Sequence, residues 1–125
     1  MAHWTPSELD RIAAATELRV SSRRDDGSLR PAVTIWVGVV DGAVYIRSAH
    51  GPENGWFRRA ERAGAGHISA GGVEKDVTFE LADPAVQRPL DAALHQKYDR
   101  FGPGPVGAIT GSDVLATTLK VLPRD

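Results

Sequence analysis

The 125-residue chain is expected to fold as a mainly β domain with peripheral α-helices, its strands curling toward a barrel. Two hairpin signals and three helix signals between and around them carry that expectation. Residues 33 to 48, VTIWVGVV-DG-AVYIRS, place Asp41-Gly42 between two β-branched runs, the preferred chemistry of a two-residue type I′ turn. Gly71-Gly72 likewise separates Gly66 to Ala70 from Val73 to Leu81, where Val77, Phe79 and Leu81 alternate inward.

In chain order, Thr5-Pro6-Ser7-Glu8 is a capping box with proline at the first helical position, followed by Leu9, Ile12, Ala13 and Thr16 at helical spacing. Glu17 to Arg23 reads as a strand, and Asp25-Asp26-Gly27 as a turn before a second extended stretch beginning after Pro31. The Asp41-Gly42 turn sets a register with Val40 opposite Ala43, Gly38 opposite Tyr45 and Trp36 opposite Arg47. Val33, Ile35, Val37, Val39, Val44 and Ile46 then share the core face. The other face carries Trp36, Gly38, Val40 and Tyr45, too apolar to face water, so a ligand or a second subunit is expected to cover it.

After the loop His50 to Gly55, Trp56 to Ala63 reads as a short helix closed by Gly64. Asp83-Pro84 opens a third helix with Val86, Leu90, Ala93, Leu94 and Tyr98 on one face, its regular start delayed by Pro89. Gly102-Pro103-Gly104-Pro105 is expected to resist regular structure, and Leu115 to Leu122 to form the last strand. No repeat, low-complexity tract or linker divides the chain, so residues 1–125 read as one domain.

Composition excludes several function classes. A chain of this length buries roughly two-thirds of its unfolded surface without staples, and the absence of cysteine excludes disulfides and thiolate chemistry. The 15 Lys and Arg balance 16 Asp and Glu, far from the basic excess of a nucleic-acid binder. The start Met1-Ala2-His3-Trp4 lacks a signal-peptide pattern and no run approaches 18 apolar residues, so a cytoplasmic protein without membrane contact is expected. The four histidines, at 3, 50, 67 and 95, lack metal-ligand spacing, and no G-x-S-x-G elbow occurs.

The strand ending WVGVVDG, the strand AVYIRSAHG, the helix GWFRRAERAG and the hairpin GHISAGGVEKDVTF together resemble the FMN-binding split-barrel superfamily. That superfamily includes relatives of pyridoxamine-phosphate oxidase and deazaflavin-dependent reductases, and the nearest resemblance is to a small bacterial family of unknown function within it. The resemblance implies a split barrel, FMN or a deazaflavin as cofactor, and a homodimer. It implies cofactor binding at Arg47, Ser48, His50, Trp56, Arg58 and Arg59, and the hairpin register adds Trp36 as a surface for the ring. The loop His50 to Gly55 departs from the better-known FMN oxidases, lacking their Lys-rich phosphate clamp and carrying Glu53.

Each candidate has a plainer alternative. Arg47 opposite Trp36 would hold an anion beside a stacked ring, or form a cross-strand surface pair. Trp56 and Arg58 at a helix start would attract a phosphate, or anchor the helix. His67 opposite Asp76 would serve as a general acid or base, or decorate the surface. His95 and Tyr98, three apart, would face a pocket, or pack. Arg59 and Arg62 read as a solvated face. The leading expectation is a flavin- or deazaflavin-dependent reductase of a small organic molecule. The rivals are a cofactor-free isomerase, cyclase or hydratase using His50, His67 or Tyr98, and a ligand-binding module without turnover.

Overall fold

The structure, a computed structural model, describes residues 3–49 and 51–124. It opens with α1 (Pro6–Ala14), whose Thr5 hydroxyl accepts from the Glu8 amide while the Glu8 carboxylate accepts from the Thr5 amide, closing the expected capping box. Strands β1 (Leu18–Ser22), β2 (Val33–Ile35), β3 (Gly38–Val40) and β4 (Ala43–Ile46) follow, then α2 (Gly55–Ala63), β5 (Ala65–Ala70) and β6 (Val73–Leu81). The chain ends with α3 (Gln87–Tyr98), α4 (Pro103–Thr110) and β7 (Leu119–Pro123). Gly64, at φ +65°, ends α2 in the left-handed conformation that its C′ position requires.

All seven strands form one antiparallel sheet in the order β2-β1-β5-β6-β7-β4-β3. β2 and β3 thus stand at opposite ends of the strand order, yet only Trp36 and Val37 separate them in sequence. From Ile35 to Gly38 is three Cα steps, at most about 11 Å, so the sheet has to curl until its two edges nearly meet. That seam makes the architecture a split barrel.

Both turns take the predicted register. Gly38 pairs with Tyr45 and Val40 with Ala43, and His67 pairs with Asp76 across the second hairpin. Positive φ at Asp41 and Gly42 and at Gly71 and Gly72 provides the type I′ geometry.

The seam corrects one expectation. Residues 33–40 are not one strand: β2 pairs with β1, β3 pairs with β4, and the ladder stops at Gly38, so Trp36 does not lie opposite Arg47. The Val37 peptide, left without a sheet partner, is satisfied by α3 instead. Its N–H donates to the Tyr98 hydroxyl at 3.1 Å and its carbonyl accepts from Lys97 Nζ at 3.1 Å, while the Tyr98 hydroxyl donates to the Thr16 carbonyl at 2.7 Å.

The barrel interior holds Val37, Val44 and Ile46, with Val33, Ile35 and Val39 packed against that core. The opposite, apolar face is covered, but by the chain's own helices. Tyr45, Leu90, Leu94, Tyr98, Val106 and Ile109 make a second core with Trp36 and Val40 at its border. Gly38 gives α3 its close approach, since a Cβ there would stand 2.6 Å from Leu90 Cδ1. The face is thus covered largely from within the chain, with Trp36 left partly buried at its border.

The Gly102-Pro105 segment also differs from expectation, because Pro103 and Pro105 lie in the first turn of α4. Amides there have no intrahelical partner to lose, which is where a helix tolerates proline. A 3₁₀ turn, Ser112–Thr117, then delays the last strand to Leu119. Pro89 is accommodated in the first turn of α3 on the same ground. Among the described residues no helix is long and apolar enough to cross a membrane.

Candidate functional site

A groove opens between β2, the start of α2 and α4. Its larger chamber, about 490 Å³, is walled by Ile35, Trp36, Trp56 and Ile109, with Arg47 and Arg59 supplying charge. A smaller chamber of about 200 Å³ adjoins it, and Val33, Trp56 and Arg59 border both. No described residue lining either chamber is a carboxylate.

Each wall has a local cause. Trp36 sits on the seam, where its indole stacks on Tyr98 with ring centres 4.0 Å apart and planes within 4°, and Phe101 leans on it at 5.4 Å. Trp56, in the first turn of α2, is 7% exposed and meets Phe57 edge-on. Both indoles are rigid surfaces, suited to a flat ring at little entropic cost. Arg59 is exposed and its guanidinium folds back over Gly55, where a Cβ would stand 2.7 Å from Nη1. Among the described residues it makes no ion pair.

Arg47 is placed differently from the expected anion clamp. It is 2% exposed, and every N–H is committed within the chain. Nε donates to Thr118 Oγ1 at 3.0 Å, Nη1 to Asp91 at 2.6 Å and to the Ile109 carbonyl at 3.0 Å, and Nη2 to Gln87 Oε1 at 2.6 Å. The Gln87 carbonyl stands 3.5 Å from Nη2. The side chain ties β4 to α3, α4 and β7, and only its flank reaches the groove floor.

Ser48 is also structural: fully buried, it donates through Oγ to the Gly51 carbonyl at 2.8 Å and through its amide to Thr117 Oγ1 at 3.0 Å. Arg58 faces away from both chambers, 3.6 Å from Glu53. His50 lies outside the described residues. Of the expected cofactor residues, the structure brings Trp36, Trp56 and the flank of Arg47 into one cavity, with Arg59 as the available cation.

The acid–base candidates lie elsewhere. The Tyr98 hydroxyl is buried and engaged at the seam, outside both chambers, and burial pushes its pKa up to about 12. His67 does face Asp76, at 3.2 Å, and its other ring nitrogen stands 3.4 Å from Glu74. The His67 hydrogen bond holds the Asp76 carboxyl below the usual range, and Arg23 joins it at 2.7 Å. Neither chamber includes this surface cluster. His95 is exposed and bonded to Asp99 at 2.8 Å, so it shares no pocket with Tyr98. No group of metal-ligating side chains occurs among the described residues.

Two contributors escaped the sequence reading. Arg30, in the loop before β2, lines the smaller chamber, and α4 supplies Pro105, Ala108 and Ile109 to the larger. Val106 and Ile109, three apart after a Pro-X-Pro start, were the available signal for that helix.

Residues 8–121 match a family described as an uncharacterized protein conserved in bacteria, DUF2255. The chain belongs to that family. Among solved structures, the conserved hypothetical protein Rv2991 of Mycobacterium tuberculosis superposes with a TM-score of 0.65 at 13% identity, covering 97% of this chain and 81% of the other. A Listeria innocua protein assigned as a candidate pyridoxamine 5′-phosphate oxidase gives 0.64 at 15% identity, over 95% and 92%. The FAD and heme binding protein of Mycobacterium smegmatis gives 0.53 at 20% identity, over 94% and 65%. At such identities the likeness speaks to fold, and the fold is the split barrel. No curated protein matches the chain.

Proposed function

We propose that this member of the DUF2255 family binds a flavin-type cofactor, FMN or a deazaflavin, in the groove and acts as a reductase of small organic molecules. The observation that carries the reading is the groove itself: two rigid indoles and an unpaired guanidinium, with no carboxylate among the described lining residues. Its volume of about 490 Å³ falls within the usual range for cofactor pockets, about 300–1,000 Å³. The FAD named for the M. smegmatis protein supports the same choice on a shared fold.

The described residues fit such a group in part. Trp36 and Trp56 offer flat apolar surface to a ring system, and Arg59 offers charge to an anionic substituent. The expected clamp at Arg47 and Ser48 does not fit, because both side chains are bonded within the chain. A bound flavin would supply the hydride chemistry. The protein's part is then to orient the ring, keep water from its buried face, and neutralise negative charge through Arg59.

Visible absorption titrations with FMN, FAD and a deazaflavin cofactor test this reading. Saturable spectral shifts are expected with at least one of them, weakened about tenfold or more by Trp36→Ala and by Arg59→Gln. Absence of binding by all three would overturn it and favour the cofactor-free enzyme.

A further inference from the structure

The smaller chamber has a chemistry of its own. It lies between β1, the loop leading into β2, and α2, with Ser22, Arg30, Trp56 and Arg59 among its walls. Among the described residues two guanidinium donors, Arg30 Nε and Arg23 Nε, are buried without a hydrogen-bond partner, and only Arg30 lines this chamber. A buried donor without a partner is destabilising, and the rest of the half-buried Arg30 side chain borders the chamber. Arg47 has an acceptor for every N–H, and Arg23 spends its Nη groups on the Gly27 carbonyl and the Asp76 carboxylate. Arg30 has been left with a donor free.

A second guanidinium borders the same place. Arg59 enters from α2 and borders both chambers. The first turn of α2 carries no acidic side chain, but its N-cap, Asn54, borders the larger chamber and follows Glu53, so α2 brings Trp56, Arg59 and Ala60 to the smaller one. No described wall residue brings a carboxylate to balance them. A mononegative or dinegative group between Arg30 and Arg59 would serve both guanidinium groups at once.

We infer that the smaller chamber is an anion subsite, built by Arg30 and Arg59, that takes the phosphate or carboxylate end of a ligand whose flat part occupies the larger chamber. The flat part rests on the cofactor reading above, whereas the anion subsite stands on its own residues. It moves the anion contact from β4, where the family resemblance set it, to the segment before β2.

The test is calorimetric titration of the full chain with inorganic phosphate, and separately with FMN and riboflavin. Phosphate is expected to bind the wild type and to bind Arg30→Gln and Arg59→Gln at least about tenfold more weakly, while Arg100→Gln, a surface change elsewhere, leaves it unchanged. Arg30→Lys, which keeps the charge but not the fork, is expected to fall between, and near-ultraviolet circular dichroism verifies that each variant is folded. If Arg30→Gln does not fold, Arg30→Lys and Arg59→Gln decide.

FMN should outcompete riboflavin on the wild type by at least about tenfold, with the preference collapsing in the Arg30 variants and free phosphate competing with FMN. Failure of phosphate to bind, or binding indifferent to Arg30 and Arg59, overturns the subsite. Phosphate binding that depends on Arg30 while neither flavin binds upholds the subsite and overturns the flavin reading. Flavin binding with no FMN preference does the reverse.

Discussion

Arginine occurs at two sites on either side of the groove floor, in opposite situations. Beneath α3, Arg47 is surrounded by acceptors from Asp91, Gln87, Ile109 and Thr118. Beside α2, Arg30 and Arg59 line an open chamber without a carboxylate among its described walls. The difference teaches that proximity of an arginine to a cavity says little by itself. What separates a brace from a binding group is whether its donors are already spent. On that criterion the α3 side of the molecule is architecture, and the α2 side keeps guanidinium donors without acceptors among the described residues.

The comparison is most sharply tested by removing the brace. Arg47→Met strips Asp91, Gln87 and Thr118 of their common partner, and breaking a buried pair in this way costs about 3–5 kcal/mol. The lower end is expected here, because the Asp91 side chain is 33% exposed and recovers some hydration. Urea denaturation should show that loss, whereas Arg59→Gln should stay within about 0.5 kcal/mol of the wild type. Equal losses at the two positions would erase the distinction drawn above.

A smaller effect is expected at the seam. Tyr98→Phe keeps the ring stacked on Trp36 but leaves the Val37 N–H and the Thr16 carbonyl without their shared hydroxyl. The expected cost is about 1–3 kcal/mol, read from the same denaturation curves. Flavin affinity measured well below the melting transition should be nearly unchanged, since the wall at Trp36 survives.

These two residues also show where the sequence was legible. Local signals with a single physical cause were readable: the capping box at Thr5, both type I′ turns and their registers, and Gly64 at the end of α2. The strand run 33–40 was read correctly for its inner face, which alternates into the core, but periodicity is blind to a partner change in mid-run. The exchange at Trp36-Val37 depends on Tyr98 and Lys97, some 60 positions later. An apolar outer face was correctly seen to need a cover. That α3 provides it could be suspected from Gly38, the one residue there small enough for Leu90 to approach.

The site was legible only in its aromatic half. Trp36 and Trp56 are large apolar groups in exposed-looking contexts, and the chemistry of such residues shows in their identity. The charged half was not, because Arg47, Arg58, Arg59 and Arg30 are the same letter, and their roles are set by acceptors contributed from distant elements. Tyr98 takes the plainer of its two readings and packs, with a carbonyl and an amide of the seam against its hydroxyl.

Lys97 gives the smallest expected effect and the most diagnostic one for the seam. Burial brings its amine from the ordinary 10.5 down to about 8, although the ammonium still donates to the Val37 carbonyl. Below pH 8 both the folded and the unfolded chain hold the proton, and the folded state bears the full penalty of the half-buried charge. Between pH 8 and 10.5 the unfolded chain keeps the proton that the folded chain has released, so stability rises with pH across that window. Tyr98 acts in the opposite sense at higher pH, because its pKa is raised from 10 to about 12. Its contribution is present below pH 10 and is lost as the pH climbs from 10 to 12. The wild type should therefore gain stability, on the order of 1 kcal/mol or less, between pH 8 and 10, level off to pH 10.5 and then decline. Lys97→Met should remove the rise while leaving the later decline, as followed by urea midpoints at half-unit pH steps. A rise that persists in Lys97→Met would assign it to another group and separate the amine from the closure of the seam.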